Sequence, residues 1–260
     1  MRKRLDTLMA ERGLFESRSR AAAAVMAGAV RVGGEPARKP GQMVAADDEI
    51  SVERGPDYVS RGGIKLVNAL DALGIAVEGR RALDVGASTG GFTDVLLQRG
   101  AAAVVALDVA YGELHWRLRQ DPRVTVLERT NARSLRADAL PYRPDLIVAD
   151  VSFISLTKVL PAVLACAADR FDCLAMVKPQ FEAGRHRVGK GGVVRDQETR
   201  VETLVMVAEA ARADGYAVMG LAPSDLPGPS GNRETFVWLA EPGRSAAVVD
   251  VEAAARAVAS

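Results

Sequence analysis

Cysteine and histidine are nearly absent from this 260-residue chain: Cys166, Cys173, His115 and His186 are the full set. Two cysteines build no disulfide framework, and neither they nor the distant histidines have metal-ligand spacing, so a disulfide-stapled fold and a zinc centre are both excluded. Both cysteines lie in apolar runs, where a free thiol behaves as a small buried hydrophobe. Aromatic residues make up only 5 %, which leaves an aliphatic core. No stretch approaches the roughly 20 apolar residues that span a bilayer. The charged start, Met1-Arg2-Lys3-Arg4-Leu5-Asp6, lacks the apolar core of a secretion signal. A cytoplasmic globular protein without bound metal or membrane partner is the expectation. Lysine is scarce as well, six of the 34 basic residues. Arginine therefore serves wherever plain charge suffices, and a lysine in an apolar run calls for the chemistry of an amine.

The formal net charge of +1 hides an asymmetry. Residues 1–40 hold nine Arg/Lys against four Asp/Glu, and the remaining 220 hold 25 against 29. A basic head on a mildly acidic body points to a polyanionic partner held at the N-terminus. Residues 1–53 read as two short helices followed by small strands. Leu5, Leu8 and Met9 share one face of a first helix ending at Gly13. Ser17 or Ser19 caps a second helix that runs to Ala27, with Gly28 past its end. Val30 and Val32, a Gly33-Gly34 turn and a strand over 49–52 follow. Arg18 and Arg20 flank the helix entry, a suitable place for phosphate. Residues 54–63, rich in Gly, Pro and Ser, read as a linker.

Over 64–260, apolar strands alternate with helices: Ala82–Val85, Ala103–Leu107, Val124–Leu127, Leu146–Ala149 and Cys173–Val177. Near-continuous apolar strands between helices imply an α/β fold with a parallel sheet covered on both faces. Tyr216–Leu221 and Thr235–Leu239, joined by a loop rich in Pro and Gly, suggest a final antiparallel strand. The first strand runs into Asp84-Val85-Gly86-Ala87-Ser88-Thr89-Gly90-Gly91-Phe92-Thr93 and a helix. Glycines there allow a sharp turn and close approach to a ligand. The spacing is not that of a phosphate-cradling loop or of a dinucleotide fingerprint. Asp108 ends the second strand, where a carboxylate can hold ribose hydroxyls, and Asn131 follows the third, placed for an adenine edge. Together these positions outline a nucleoside pocket at strand carboxyl ends.

Four further residues fall where the same crevice forms. Asp150 ends the fourth strand, Lys178 the fifth, Glu234 precedes the last, and Lys65 begins the helix leading into the first. A desolvated lysine beside another cation can act as an acid–base group.

In these motifs the chain resembles the TlyA, or hemolysin A, family of ribosomal RNA ribose 2′-O-methyltransferases with an FtsJ-like catalytic domain. Asp84–Thr93, Ala149–Phe153, Val177–Phe181 and Gly231–Glu234 carry the match, which is close to full length. Arg4-Leu5-Asp6, Ser17–Ala21 and Gly28–Val32 resemble the small RNA-binding module of a small-subunit ribosomal protein and many pseudouridine synthases. The resemblance implies a Rossmann-like class I methyltransferase sheet behind a small α+β RNA-binding domain. It implies S-adenosylmethionine held by Asp84, Gly86, Ala87, Ser88, Thr89, Gly90, Gly91, Phe92, Thr93, Asp108 and Asn131. Lys65, Asp150, Lys178 and Glu234 would be catalytic, with Lys178 accepting the proton of a cytidine 2′-hydroxyl and Lys65 repelling a second positive charge there. Ribosomal RNA or a ribosomal subunit would be the partner, contacted by Arg4, Arg18 and Arg20 and by a clamp of Arg185, Arg187 and Lys190. The oligomeric state is not legible.

Alternative readings meet specific objections. An amino-group methyltransferase calls for Asn/Asp-Pro-Pro-aromatic where this chain has Asp150-Val151-Ser152-Phe153, and a base-carbon enzyme calls for a cysteine nucleophile at the site. A non-catalytic RNA-binding or assembly factor leaves the lysine–carboxylate set unexplained. A pore-forming hemolysin lacks a lytic segment.

Overall fold

The computed structural model describes residues 2–15, 17–26, 28–52 and 58–259. The chain divides into two compact units, residues 1–57 and 58–260.

The N-terminal unit runs β1 (Arg2–Arg4), α1 (Leu5–Glu11), α2 (Arg18–Met26), β2 (Val30–Val32), β3 (Glu35–Pro36), β4 (Met43–Ala45) and β5 (Ile50–Val52). Strand β1 pairs with β4, and β2 lies between β3 and β5, all antiparallel. Leu5, Leu8, Met9, Ala21, Val25, Val30 and Val44 form its core. Ser17 caps α2, its Oγ accepting from the Arg20 N–H at 3.3 Å, and Gly28 takes the left-handed conformation past the helix (φ 76°). Ala27, expected as the helix end, lies outside the described residues.

The larger unit contains α3 (Gly62–Leu73), β6 (Arg81–Val85), α4 (Gly91–Gln98), β7 (Ala103–Leu107), α5 (Trp116–Arg119), β8 (Val124–Leu127), β9 (Leu146–Ala149), α6 (Leu160–Leu164), β10 (Asp172–Val177), α7 (Pro179–Glu182), α8 (Gln197–Ala213), β11 (Ala217–Pro223), β12 (Thr235–Ala240) and α9 (Val251–Val258). Its seven-stranded sheet has the order β11-β12-β10-β9-β6-β7-β8. The five strands β10-β9-β6-β7-β8 are parallel, and β12 runs antiparallel to both β10 and β11. The expected α/β class and antiparallel final strand are therefore both present. Central strands are buried on both faces, as their unbroken apolar runs require: β9 is buried throughout and β6 at every residue but Arg81. Cys166 and Cys173 are core residues, and burial raises the pKa of both thiols.

The expected linker extends further than the structure allows. Val59 N–H donates to the buried Asp94 carboxylate at 2.8 Å, and α3 starts at Gly62, three residues before Lys65. Gly63 reads as linker sequence but has a packing role: a Cβ there would lie 2.7 Å from the Tyr58 side chain.

Candidate active site

The carboxyl ends of β6, β9 and β10, the start of α3 and the loop before β12 enclose a cleft of about 730 Å³. All four expected catalytic residues line it: Lys65, Asp150, Lys178 and Glu234. The sheet order explains the convergence, since β9 lies between β6 and β10 and brings three strand ends side by side.

The four residues form two ion pairs. Lys65 and Glu234, 169 positions apart, are both buried and joined directly, Lys65 Nζ donating to Glu234 Oε2. Lys178 Nζ lies 2.5 Å from Asp150 Oδ1 and donates to Ser152 Oγ at 2.9 Å. The Asp150 contact is an ion pair without hydrogen-bond alignment, because Oδ1 has no hydrogen-bond partner. The Lys178 side chain is 11 % exposed, reachable from the cleft but largely desolvated. Each lysine is paired with its own carboxylate.

The glycine loop is folded for close approach. Gly86 (φ 84°) passes so near the fourth-strand end that a Cβ would meet the Asp150 carbonyl at 2.5 Å. Leu107 O accepts from Gly86 N (2.8 Å) and Ala87 N (3.0 Å), which ties the loop to β7. Gly86, Ala87, Ser88, Thr89, Gly91 and Phe92 line the cleft. Gly90 lies under Leu114 and Leu118 instead. Asp84 and Thr93 are fully buried beneath, Thr93 Oγ1 donating to Asp84 Oδ2 at 2.7 Å while Asp84 Oδ1 has no partner. Burial first, then the charges of Asp150 and Asp108, push the Asp84 carboxyl up to about 7.

Asp108 is outside the cleft lining and braces the loop: it accepts from Ser88 N (2.7 Å) and Ala110 N (2.8 Å). Asn131 is exposed, and its side-chain oxygen caps the turn at 132–134 by accepting from Arg133 N at 3.0 Å. A strand-end asparagine reads the same whether it caps or binds.

Several lining residues had no assigned role in the sequence reading. Phe153 is 92 % exposed, sits in the left-handed conformation (φ 64°) and faces Phe181 at 5.2 Å between ring centroids. A bulky residue held there is strained, and an exposed strained aromatic at a cleft lip points to a ligand. Periodicity could not have found it; its place three residues beyond a strand-end aspartate was the available signal. Asn232 is buried and links two loops, accepting from Val194 N (2.9 Å) and donating to Gly192 O (2.8 Å).

The expected RNA contacts divide in the same way. Arg4 and Arg18 both donate to buried Asp6, Arg4 through Nε (3.1 Å) and Nη2 (2.8 Å), Arg18 through Nε (3.2 Å). Their side chains stay 46 % and 59 % exposed, and they hold the Asp6 carboxyl far below its usual range. Arg187 is engaged with Glu202 and Thr199. Arg185 and Lys190 are exposed on a loop whose Val188 and Gly192 reach the cleft.

Residues 58–241 match the FtsJ-like methyltransferase model. The chain belongs to the FtsJ-like methyltransferase family. Residues 3–50 match the S4 domain. The chain is 54 % identical over 240 residues to the 16S/23S rRNA (cytidine-2′-O)-methyltransferase TlyA of Mycobacterium tuberculosis, covering 92 % of this chain and 90 % of the relative. It is 39 % identical to Hemolysin A of Brachyspira hyodysenteriae over 89 % of this chain and 97 % of that one. A solved structure from Streptococcus thermophilus, described as a candidate hemolysin, superposes with a TM-score of 0.73 at 38 % identity, covering 98 % and 94 %. Among the described residues of this FtsJ-like enzyme, no helix is long and apolar enough to cross a membrane.

Proposed function

We propose that this enzyme transfers a methyl group from S-adenosylmethionine to the ribose 2′-hydroxyl of a cytidine in ribosomal RNA, in the cytoplasm. The observation that carries the reading is the meeting of both lysine–carboxylate pairs beside the glycine loop in one cleft. The names of the relatives support the RNA, the nucleoside and the hydroxyl.

The residues present fit the methyl donor. Glycine at position 86 lets the loop pack against the Asp150 carbonyl, where a Cβ would clash at 2.5 Å, and so holds the loop at the strand ends that line the cleft. The Asp150 carboxylate lines the cleft beside that loop and suits a cationic ligand. Residues Gly86–Gly91 and the start of α4 would hold the donor, with Asp108 at its ribose and the free amide nitrogen of Asn131 toward its adenine. Bound there, S-adenosylmethionine supplies a methyl group already activated on a sulfonium.

The chain's own work is then orientation and proton removal. Correct placement of the ribose oxygen contributes about 7–11 kcal/mol when the near-attack geometry is good. Lys178, steadied by Asp150 and Ser152, orients the 2′-hydroxyl and, when its amine is neutral, takes the hydroxyl proton on the nitrogen lone pair. The Lys65–Glu234 pair lines the same cleft. The exposed ring of Phe153 offers a stacking face for the base, as aromatic side chains do for unpaired RNA bases.

Substitution of Lys178 tests the assignment. Lys178→Arg keeps the charge but cannot lose a proton near neutral pH, and Lys178→Ala removes both functions. Single-turnover transfer to rRNA at saturating donor falls by about 10²–10⁴-fold in both, the usual contribution of a positioned acid–base group, while donor binding persists. Wild-type turnover in the arginine variant would reduce Lys178 to a positioning charge.

A further inference from the structure

A basic groove leaves the lip of the catalytic cleft and passes over residues to which the proposed mechanism gives no part. It consists of three adjoining cavities of about 400, 410 and 340 Å³. The first is lined by Lys190 and Arg195, the second by Arg195, Arg200 and Arg233, the third by Arg200 and Arg233. The groove is continuous with the active cleft through the loops that carry it: Gly192 and Asn232 line the cleft, and Asn232 ties the two loops together.

Arg187, which also lines the first cavity, is paired with Glu202, but three other cations of the groove lack counter-ions among the described residues. The side chains of Lys190, Arg195 and Arg233 make no hydrogen bond or ion pair with the described residues, and all three are exposed. Arg200 spends its donors on carbonyls: Nη1 on Arg195 O (2.8 Å), Nε and Nη2 on Ala259 O (3.3 and 2.9 Å). Burial and the charge of Arg233 lower the Arg200 pKa, so two guanidiniums repel each other across the groove. The acids nearby are largely committed. Asp196 caps α8 through Thr199 while its charge partly offsets that lowering at Arg200, Glu234 holds Lys65, and exposed Asp225 lines the third cavity. Most arginines elsewhere on this acidic body sit in ion pairs, for example Arg119 with Glu128 and Arg256 with Glu198. A run of unpaired cations is therefore an anion site rather than a solvated face.

We infer that Arg195 and Arg233, with the positive charge of Arg200 beside them, bind backbone phosphodiesters of the RNA strand that leaves the cleft beside the target nucleotide. The inference rests on the proposed RNA substrate and adds a second anchor to the S4 domain. A strand with one ribose at Lys178 must exit over the cleft lip, and this groove begins there. Phosphate contacts of this kind fix register without reading sequence.

The test uses the full-length protein and an rRNA fragment, with affinity measured against salt concentration. Replacing both exposed arginines, Arg195→Gln with Arg233→Gln, should flatten the log–log salt slope by about 0.7–0.9 per lost contact. The matched lysine pair should restore most of the slope. Arg136→Gln, an exposed arginine paired with Asp138, makes the same charge change elsewhere and should leave the slope alone. Donor binding and melting temperature verify that the variants fold. An unchanged slope in the glutamine pair would overturn the inference. So would a result in which inorganic phosphate raises the melting temperature of wild type but not of the variant while RNA affinity stays the same, since the groove then holds a free anion. Binding is measured separately from methyl transfer, so a wild-type enzyme that binds RNA through the groove but methylates no ribose would count against the proposed function alone.

Discussion

Asp84 shows how much a single residue beneath the donor loop can report. Its carboxyl is fully buried, accepts only from Thr93, and is pushed up to about 7, above the roughly 3.9 of an unfolded chain. Between those values the folded enzyme holds a proton that the unfolded chain has released. Donor-free stability is therefore full below about pH 4 and declines as pH rises through about 7, by at most roughly 1.4 kcal/mol per pH unit from this group. Thermal melts across that range should show the decline, and Asp84→Asn should flatten it; an unchanged pH profile in the variant would place the proton elsewhere. At this scale the sequence was informative wherever a polar residue ended an apolar strand, as at Asp150 and Lys178. The pairing of Lys65 with Glu234 was hidden, because 169 intervening residues and the sheet order decide it. Asn131 was legible in position only, since its oxygen serves a cap.

At the level of elements, the long apolar strands could be read because burial on both faces leaves an unbroken hydrophobic run. Strands β1 and β4 could not, because Arg2–Arg4 is all charged and Met43–Ala45 all apolar, so neither alternates. The Gly62-Gly63 start of α3 read as linker for the same local reason that makes it tolerable: glycine accommodates the close Tyr58 side chain. One element pair bears on the proposed catalysis. Helix α7 follows Lys178, and its Glu182 accepts from Ser155 Oγ (2.6 Å) and Leu156 N (2.8 Å), which joins the loop carrying Asp150, Ser152 and Phe153 to the segment carrying Lys178 and Phe181. Burial raises the Glu182 pKa, against the pull of those two donors. Glu182→Ala should lower single-turnover methyl transfer by roughly 10–100-fold through misplacement of the reacting groups, with donor affinity largely retained. Glu182→Gln keeps one acceptor and should fall between. Equal turnover in all three forms would show that the two loops are held by other contacts.

For the whole molecule, charge and chemistry are allotted to different parts. The S4 unit presents Arg4 and Arg18 from a shared buried carboxylate, which fixes both guanidiniums while leaving them half exposed. Replacing Arg4, Arg18 and Arg20 together by glutamine should weaken rRNA binding and flatten its salt slope by about 0.7–0.9 per lost phosphate contact, with donor binding intact; an unchanged slope would remove the N-terminal unit as an anchor. The two-part organisation was visible in the sequence as a charge asymmetry, whereas the groove through Arg195, Arg200 and Arg233 was not, because its members lie on separate loops and a helix that only the fold assembles. The central claim is that the acceptor is a ribose oxygen. Its most direct measurement is transfer of labelled methyl to an rRNA fragment whose target cytidine, located by mapping 2′-O-methylation with and without the enzyme, is replaced by 2′-deoxycytidine. The account predicts that the wild-type fragment is methylated, that the deoxy fragment still binds, and that it receives no label. Label on the deoxycytidine would contradict it, since the methyl group would then have gone to the base.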